Sequence, residues 1–294
     1  MRNIFIEELT KAAKKNKKII LVVNDLGYSV VENFAKLFPK QFFNAGVAEQ
    51  NMMGLAAGLA LDGNQVYVYS IGNFPTFRCA EQIRNDIDYH KLPVTIVNVG
   101  SGVSYGNLGY SHHSIQDYGL LRLFPNMLIA SPGDLFETRE CVKYLLKNPQ
   151  PSYLRLAKGN NSTLEKKNKI ITPGCWIKID NKNNKTGNAI LCTGNTLFIG
   201  KEMIKLKKYK NFSLFTLPIW GMKYKSLQKK YLKKMKHLIT LEDHIEDGGF
   251  SSWIKESAKD QINKIKITSK YLDNKIIGKV GSERYLIGKY FNKI

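Results

Sequence analysis

Cysteine is scarce in this sequence and never closely paired: Cys79, Cys141, Cys175 and Cys192 are the only four, and no CxxC spacing occurs. That excludes a zinc knuckle and a disulfide framework, and it points to reduced thiols in a cytoplasmic protein. Long apolar runs are missing too. No stretch approaches the roughly 18 apolar residues that a membrane span needs. The early run Ile19–Val23 follows a lysine-rich segment and is too short for a signal-peptide core. Acidic side chains are few, 24 against 45 basic ones, for a formal charge of +21. Clustered arginine is also absent, since lysine supplies all but seven of the basic residues, spread along the chain among many Asn and Ile. Nucleic-acid sites gather basic residues on one face with aromatic or helix-turn-helix context. The bias here reads instead as that of an AT-rich genome, and nucleic acid is excluded as a partner. A basic field still attracts phosphorylated substrates or an acidic partner protein.

What is present is an ordinary globular composition, 43% hydrophobic over 294 residues, enough for two domains. Short apolar runs alternate with longer amphipathic segments, the βαβ pattern of a parallel sheet. Strands are expected at Ile19–Val23, Val66–Ser70, Val94–Val99, Met127–Ala130 and Tyr153–Leu156. Helices are expected at Glu7–Lys15, Glu49–Leu61, Phe77–Tyr89 and Leu135–Leu146, the last capped through Pro132-Gly133-Asp134. Lys158 to Gly174 is polar and without hydrophobic period, so the junction is placed there. Beyond it, Ala189–Cys192, Ser213–Leu217 and Leu238–Leu241 read as strands of a second, smaller unit. The fold expected is α/β with two doubly wound domains, 1–158 and 175–294, joined by a linker at 159–174.

The densest constellation runs from Asn44 to Ala60, Asn-Ala-Gly-Val-Ala-Glu-Gln-Asn-Met-Met-Gly-Leu-Ala-Ala-Gly-Leu-Ala, and opens a helix. Gly54, Ala57 and Gly58 give that helix a face that another helix or a ligand can approach closely. Glu49 in its first turn has two readings. One is a carboxylate favoured by the helix dipole, worth about 0.3–1 kcal/mol when exposed. The other is a partly buried carboxylate that holds a proton for a ligand. Two further segments, Ser70-Ile-Gly-Asn-Phe-Pro-Thr-Phe-Arg-Cys-Ala-Glu-Gln-Ile-Arg-Asn-Asp86 and Ser104-Tyr-Gly-Asn-Leu-Gly-Tyr-Ser-His-His-Ser-Ile-Gln-Asp117, each follow an expected strand. Ligands of parallel α/β sheets bind at the carboxyl ends of the strands, where both loops should lie.

Together these segments resemble the pyrimidine-binding domain of transketolase-type thiamine diphosphate enzymes. The remainder, with Leu241-Glu-Asp-His244 and Gly248-Gly-Phe250, resembles their C-terminal domain. The resemblance implies that Glu49 hydrogen-bonds a ring nitrogen of the cofactor's aminopyrimidine, favouring the tautomer that deprotonates the thiazolium carbon. It implies that Phe74 stacks on the pyrimidine, with Phe77 a competitor for that place and core packing the alternative for either. It implies further that His112 contacts substrate oxygens and transfers protons, and that Arg155 binds substrate phosphate unless it is merely a surface arginine. His113 is a further substrate-binding candidate, although it and Asp117 could simply hold the loop.

Four departures from the family pattern bear on function. The Gly-Asp-Gly sequence that, with a later Asn, holds a divalent metal on the cofactor's diphosphate is absent. The sequence also starts directly at the pyrimidine domain. The resemblance therefore implies one subunit of a split enzyme, with no metal ligands of its own and Mg2+ held by an amino-terminal, diphosphate-binding partner subunit. A heterotetramer is expected, with homodimer contacts between copies of this chain. In addition, Leu108 stands where transketolases carry an Asp that reads a donor hydroxyl, and a phosphate-binding His is missing near Gly100. The expected reaction is transfer of a two-carbon ketol unit between sugars or sugar phosphates. A 1-deoxyxylulose-phosphate-synthase-like enzyme, a 2-oxoacid dehydrogenase beta subunit and a non-catalytic structural partner remain as alternatives.

Overall fold

The computed structural model describes residues 1–159, 170–180, 186–259 and 264–292. Most of the expected linker, residues 160–169, lies outside the described residues. In chain order the first part forms α1 (Arg2–Lys15), β1 (Ile19–Val23), α2 (Glu32–Leu37), β2 (Phe42–Asn44), α3 (Glu49–Leu61), β3 (Gln65–Ile71), α4 (Ala80–Gln82), β4 (Val94–Val99), α5 (Asp117–Leu121), β5 (Leu128–Ala130), α6 (Leu135–Lys147) and β6 (Ser152–Leu156). The second part forms β7 (Ile177–Lys178), β8 (Asn188–Cys192), α7 (Thr196–Met203), β9 (Ser213–Thr216), β10 (Ile219–Trp220), α8 (Gln228–Leu232), β11 (His237–Leu241), α9 (Phe250–Ser257), β12 (Lys266–Lys270) and α10 (Glu283–Tyr290).

These strands make two sheets, of order β10-β5-β6-β4-β3-β1-β2 and β12-β11-β8-β9-β7. All pairings are parallel except β10 with β5 and β7 with β9. Strands buried on both faces should be continuously apolar, and β1 and β4 are buried along their whole length. Alternation then sorts their side chains. Ile20, Val22, Val66 and Val68 pack with Met52, Met53 and Ala56 of α3, while Leu21, Val23, Tyr67 and Tyr69 pack with Phe5 and Leu9 of α1. Each face of the first sheet thus has its own core, and the fold is α/β as expected.

The two sheets are not independent. Trp220 of β10 sits on the edge of the first sheet while its indole packs against Tyr118, Phe250 and Trp253, with centroids 5.1–5.2 Å apart. Arg122 adds a bidentate ion pair to Glu256, at 3.1 and 2.6 Å. No strand is expected from the sequence at β10, because two residues carry no period. The sequence pattern also predicts one helix through Phe77–Tyr89, where the structure has a 3-10 turn at Phe77–Cys79, then α4, then a π-helix at Ile83–Asp88. The widened turn buries Ile83 and Ile87 together with Asp88, whose Oδ1 accepts from the Asn126 backbone N–H at 3.1 Å.

Candidate active site

Four segments converge at the carboxyl ends of adjacent parallel strands: Asn24 after β1, Glu49 after β2, the 72–79 turn after β3 and the 101–116 loop after β4. Glu49 is buried, and its Oε1 accepts from Asn24 Nδ2 at 3.0 Å and from Arg78 NH1 at 2.9 Å. The Oδ1 of Asn24 is itself buried without a hydrogen-bond partner among the described residues. The Arg78 guanidinium lies over the Phe74 ring, 4.2 Å from its centroid. His112 also neighbours Phe74, edge-on with centroids 5.2 Å apart. Glu49, Phe74 and His112 are therefore brought together, with Arg78 between the first two.

Backbone contacts lock the loops that carry these groups. Gly72 has φ +49, and a Cβ there would meet the His112 carbonyl oxygen at 3.3 Å, so glycine permits the close approach of the two loops. Asn73 Nδ2 donates to the His113 carbonyl at 2.8 Å across the same junction. Two open clefts flank the cluster. One, of about 470 Å³, is lined by Ala48, Glu49, Gln50, Asn51 and Arg78. The other, of about 450 Å³, is lined by Asn73, Phe74, Phe77, Arg78, Tyr110, Ser111 and Gln116. Phe77 is 44% exposed and lines the second cleft but not the first.

His112 is half-buried, its Nδ1 3.0 Å from Ser111 Oγ. Burial, and then the Arg78 cation, hold its imidazole below the ordinary histidine value, which favours its neutral form. We predict that Arg78→Ala, by removing one of those two causes, moves the His112 titration upward. Proton NMR of the histidine ring resonances across pH 4–8 measures this. A titration that does not move would mean that Arg78 and His112 are not electrostatically coupled.

The structure does not bring the remaining candidates to either cleft. His113 is fully buried, in weak contact with the Gly106 carbonyl at 3.5 Å, and burial lowers its pKa. Arg155 is also fully buried rather than a surface arginine. Its Nε donates to Asp117 at 2.6 Å, its NH1 to Asp243 at 2.5 Å, and its NH2 to the Ser114 carbonyl at 2.7 Å. Two carboxylates already pair with it, and each of its three guanidinium nitrogens bonds within the protein, so the structure lends the expected substrate-phosphate contact no support. Asp117 holds Arg155 and the Tyr153 hydroxyl, the loop-holding alternative considered for it.

Sequence reasoning misses Asn24, Arg78 and Lys158. Lys158 is exposed just beyond β6, its Nζ 4.8 Å from the Tyr105 ring centroid, and Tyr105 in turn lies 6.4 Å from His112. Position at a strand's carboxyl end is the available signal for Asn24 and Lys158. For Arg78 it is rarity, being one of seven arginines in so lysine-rich a chain.

The family model described as transketolase, pyrimidine binding domain, matches residues 1–163. One subunit of the apulose-4-phosphate transketolase of Phocaeicola vulgatus is 32% identical over 260 residues, spanning 87% of this chain and 82% of that protein. A Methanocaldococcus jannaschii protein, provisionally named a transketolase C-terminal section, is 31% identical over 261 residues, spanning 87% and 81%. A solved structure described as a split gene transketolase, inactive beta4 tetramer, aligns with a TM-score of 0.83 at 28% identity, covering 98% of this chain and 92% of the other.

Proposed function

The chain belongs to the transketolase family, as its C-terminal section with the pyrimidine-binding domain, and we propose that Glu49, Phe74 and His112 form half of a thiamine diphosphate site that a partner subunit completes. It is a subunit of a split, thiamine diphosphate-dependent transferase that moves a two-carbon ketol unit. The observation that carries the site is the convergence of a buried carboxylate, an aromatic face and an imidazole at neighbouring strand ends. The residues fit the cofactor's ring: a flat N–H-bearing cation already lies on Phe74 and bonds to Glu49, which is the donor set an aminopyrimidine would offer.

When bound, thiamine diphosphate supplies the carbon nucleophile and the electron sink for carbon–carbon cleavage. Glu49 holds a proton on the pyrimidine ring nitrogen, and Asn24 fixes the carboxylate's rotamer. Phe74 stacks on the ring, while Phe77 widens the apolar wall beside it. His112, whose neutral form its surroundings favour, takes or returns a proton at a substrate oxygen. Lys158, rather than Arg155, is the cation we assign to a substrate phosphate, because it is exposed on the His112 side. Mg2+ and the diphosphate are assigned to the partner subunit, in keeping with the lack of Gly-Asp-Gly here. The outer face of α3, where a Cβ at Gly54 or Gly58 would meet nothing within 4 Å, is the surface we assign to partner helices. The four cysteines form no disulfide among the described residues, in keeping with the reducing, cytoplasmic setting we assign to the chain.

The test is reconstitution. The chain is purified alone and with its diphosphate-binding partner, and ketol transfer from a ketose phosphate to an aldose acceptor is followed. Transfer is expected only from the mixture. Tight, Mg2+-dependent thiamine diphosphate binding and turnover by the single chain would refute the division of the site.

A further inference from the structure

Arg78 lines both clefts, and its side chain reaches from Phe74 in one to Glu49 in the other. It is half-exposed, at 51%, and it leaves a 3-10 turn of three residues, so no packing forces it inward. It nevertheless lies flat on Phe74 and donates to Glu49. A guanidinium is planar, cationic and edged with N–H donors. Those are the properties by which a protonated aminopyrimidine would engage the same aromatic face and the same carboxylate.

We infer that Arg78 is a self-ligand of the pyrimidine cradle, a latch that keeps Glu49 and Phe74 engaged until the cofactor ring displaces it and joins the two clefts. This rests on the reading of Glu49 and Phe74 as the ring's cradle. The latch keeps the Glu49 carboxylate paired, and it keeps smaller flat cations out. Its cost is competition: every binding event must first break one ion pair and one cation–π contact. Because both contacts are partly exposed, each is modest, and the ring with its diphosphate anchor can win.

The experiment measures thiamine diphosphate binding by calorimetry, in the complex with the partner subunit and with Mg2+ present. Wild type is compared with Arg78→Ala, Arg78→Lys and Phe74→Ala, and thermal melting checks that each variant is folded. Arg78→Ala should bind about five- to tenfold more tightly, the scale of the two contacts removed. Arg78→Lys, which keeps charge but loses the planar fork, should bind more tightly than wild type as well. Unchanged or weaker binding by Arg78→Ala, with Phe74→Ala weakened as a stacking platform should be, would overturn the latch and leave the cradle standing. Binding untouched by Phe74→Ala would overturn the cradle, and the latch with it.

Discussion

Glu49→Gln is expected to slow deprotonation of the thiazolium carbon by about 10²-fold or more in the reconstituted complex, the usual scale for a lost acid–base contact. By transition-state arithmetic that is about 2.7 kcal/mol. The amide keeps the size of the side chain, and its oxygen can still accept from Asn24 and Arg78, which both bond to Glu49 Oε1. What it loses is the charge that stabilises a protonated ring. Cofactor binding should change less than the rate, since stacking on Phe74 and the partner's hold on the diphosphate remain. The fold should survive, because no cavity opens. Hydrogen–deuterium exchange at the thiazolium carbon, with wild-type and variant chains, measures the effect. Equal rates would make Glu49 only a helix-start carboxylate, and the family likeness would then concern the fold and not the chemistry.

Residues with a strong period or a local signature are the ones legible in the sequence. Ile19–Val23, Val94–Val99 and Glu49–Leu61 fall where the pattern puts them, since each is long enough to bury a recognisable face. Asp134 caps α6 through the Glu137 N–H at 2.7 Å, as its place after Pro-Gly suggests. The short and edge strands escape. β12 reads Lys-Ile-Thr-Ser-Lys and is only partly buried along most of its length, so neither alternation nor hydrophobicity announces it. In the site, Glu49, Phe74 and His112 are readable because each follows a strand in a recognisable motif. The partners of Arg155 are not legible in the sequence, because Asp243 lies 88 positions away, across the junction of the two sheets. Its arginine identity does carry information. In a chain where lysine serves most basic positions, Arg78, Arg122, Arg139 and Arg155 all hold carboxylates, and Arg122, Arg139 and Arg155 do so with more than one nitrogen. Planar, multidentate pairing is what lysine cannot supply.

That pairing makes Arg155 the position where a substitution should cost the most stability. Arg155→Ala would leave Asp117 and Asp243 as uncompensated carboxylates in the interior, and it would remove the guanidinium stacked 4.3 Å from the centroid of Tyr118. Breaking one side of a buried ion pair costs about 3–5 kcal/mol, a large share of a stability of about 5–15 kcal/mol. Acid should expose the same network. Burial alone would raise the Asp117 carboxyl, but the Arg155 charge, then His244 and the hydrogen bonds, bring it below its ordinary value. A depressed carboxylate contributes stability that is present above its unfolded value of about 3.9 and is lost as pH falls through the lower folded value. Urea unfolding of the full chain should therefore show a steep loss below about pH 4, and Asp117→Asn should flatten that slope. Were Arg155 a substrate-phosphate ligand instead, Arg155→Ala would raise KM for the phosphorylated sugar while leaving the unfolding midpoint where it was. A midpoint that stays in place would overturn the role assigned to it here, as the ionic tie between the two sheets.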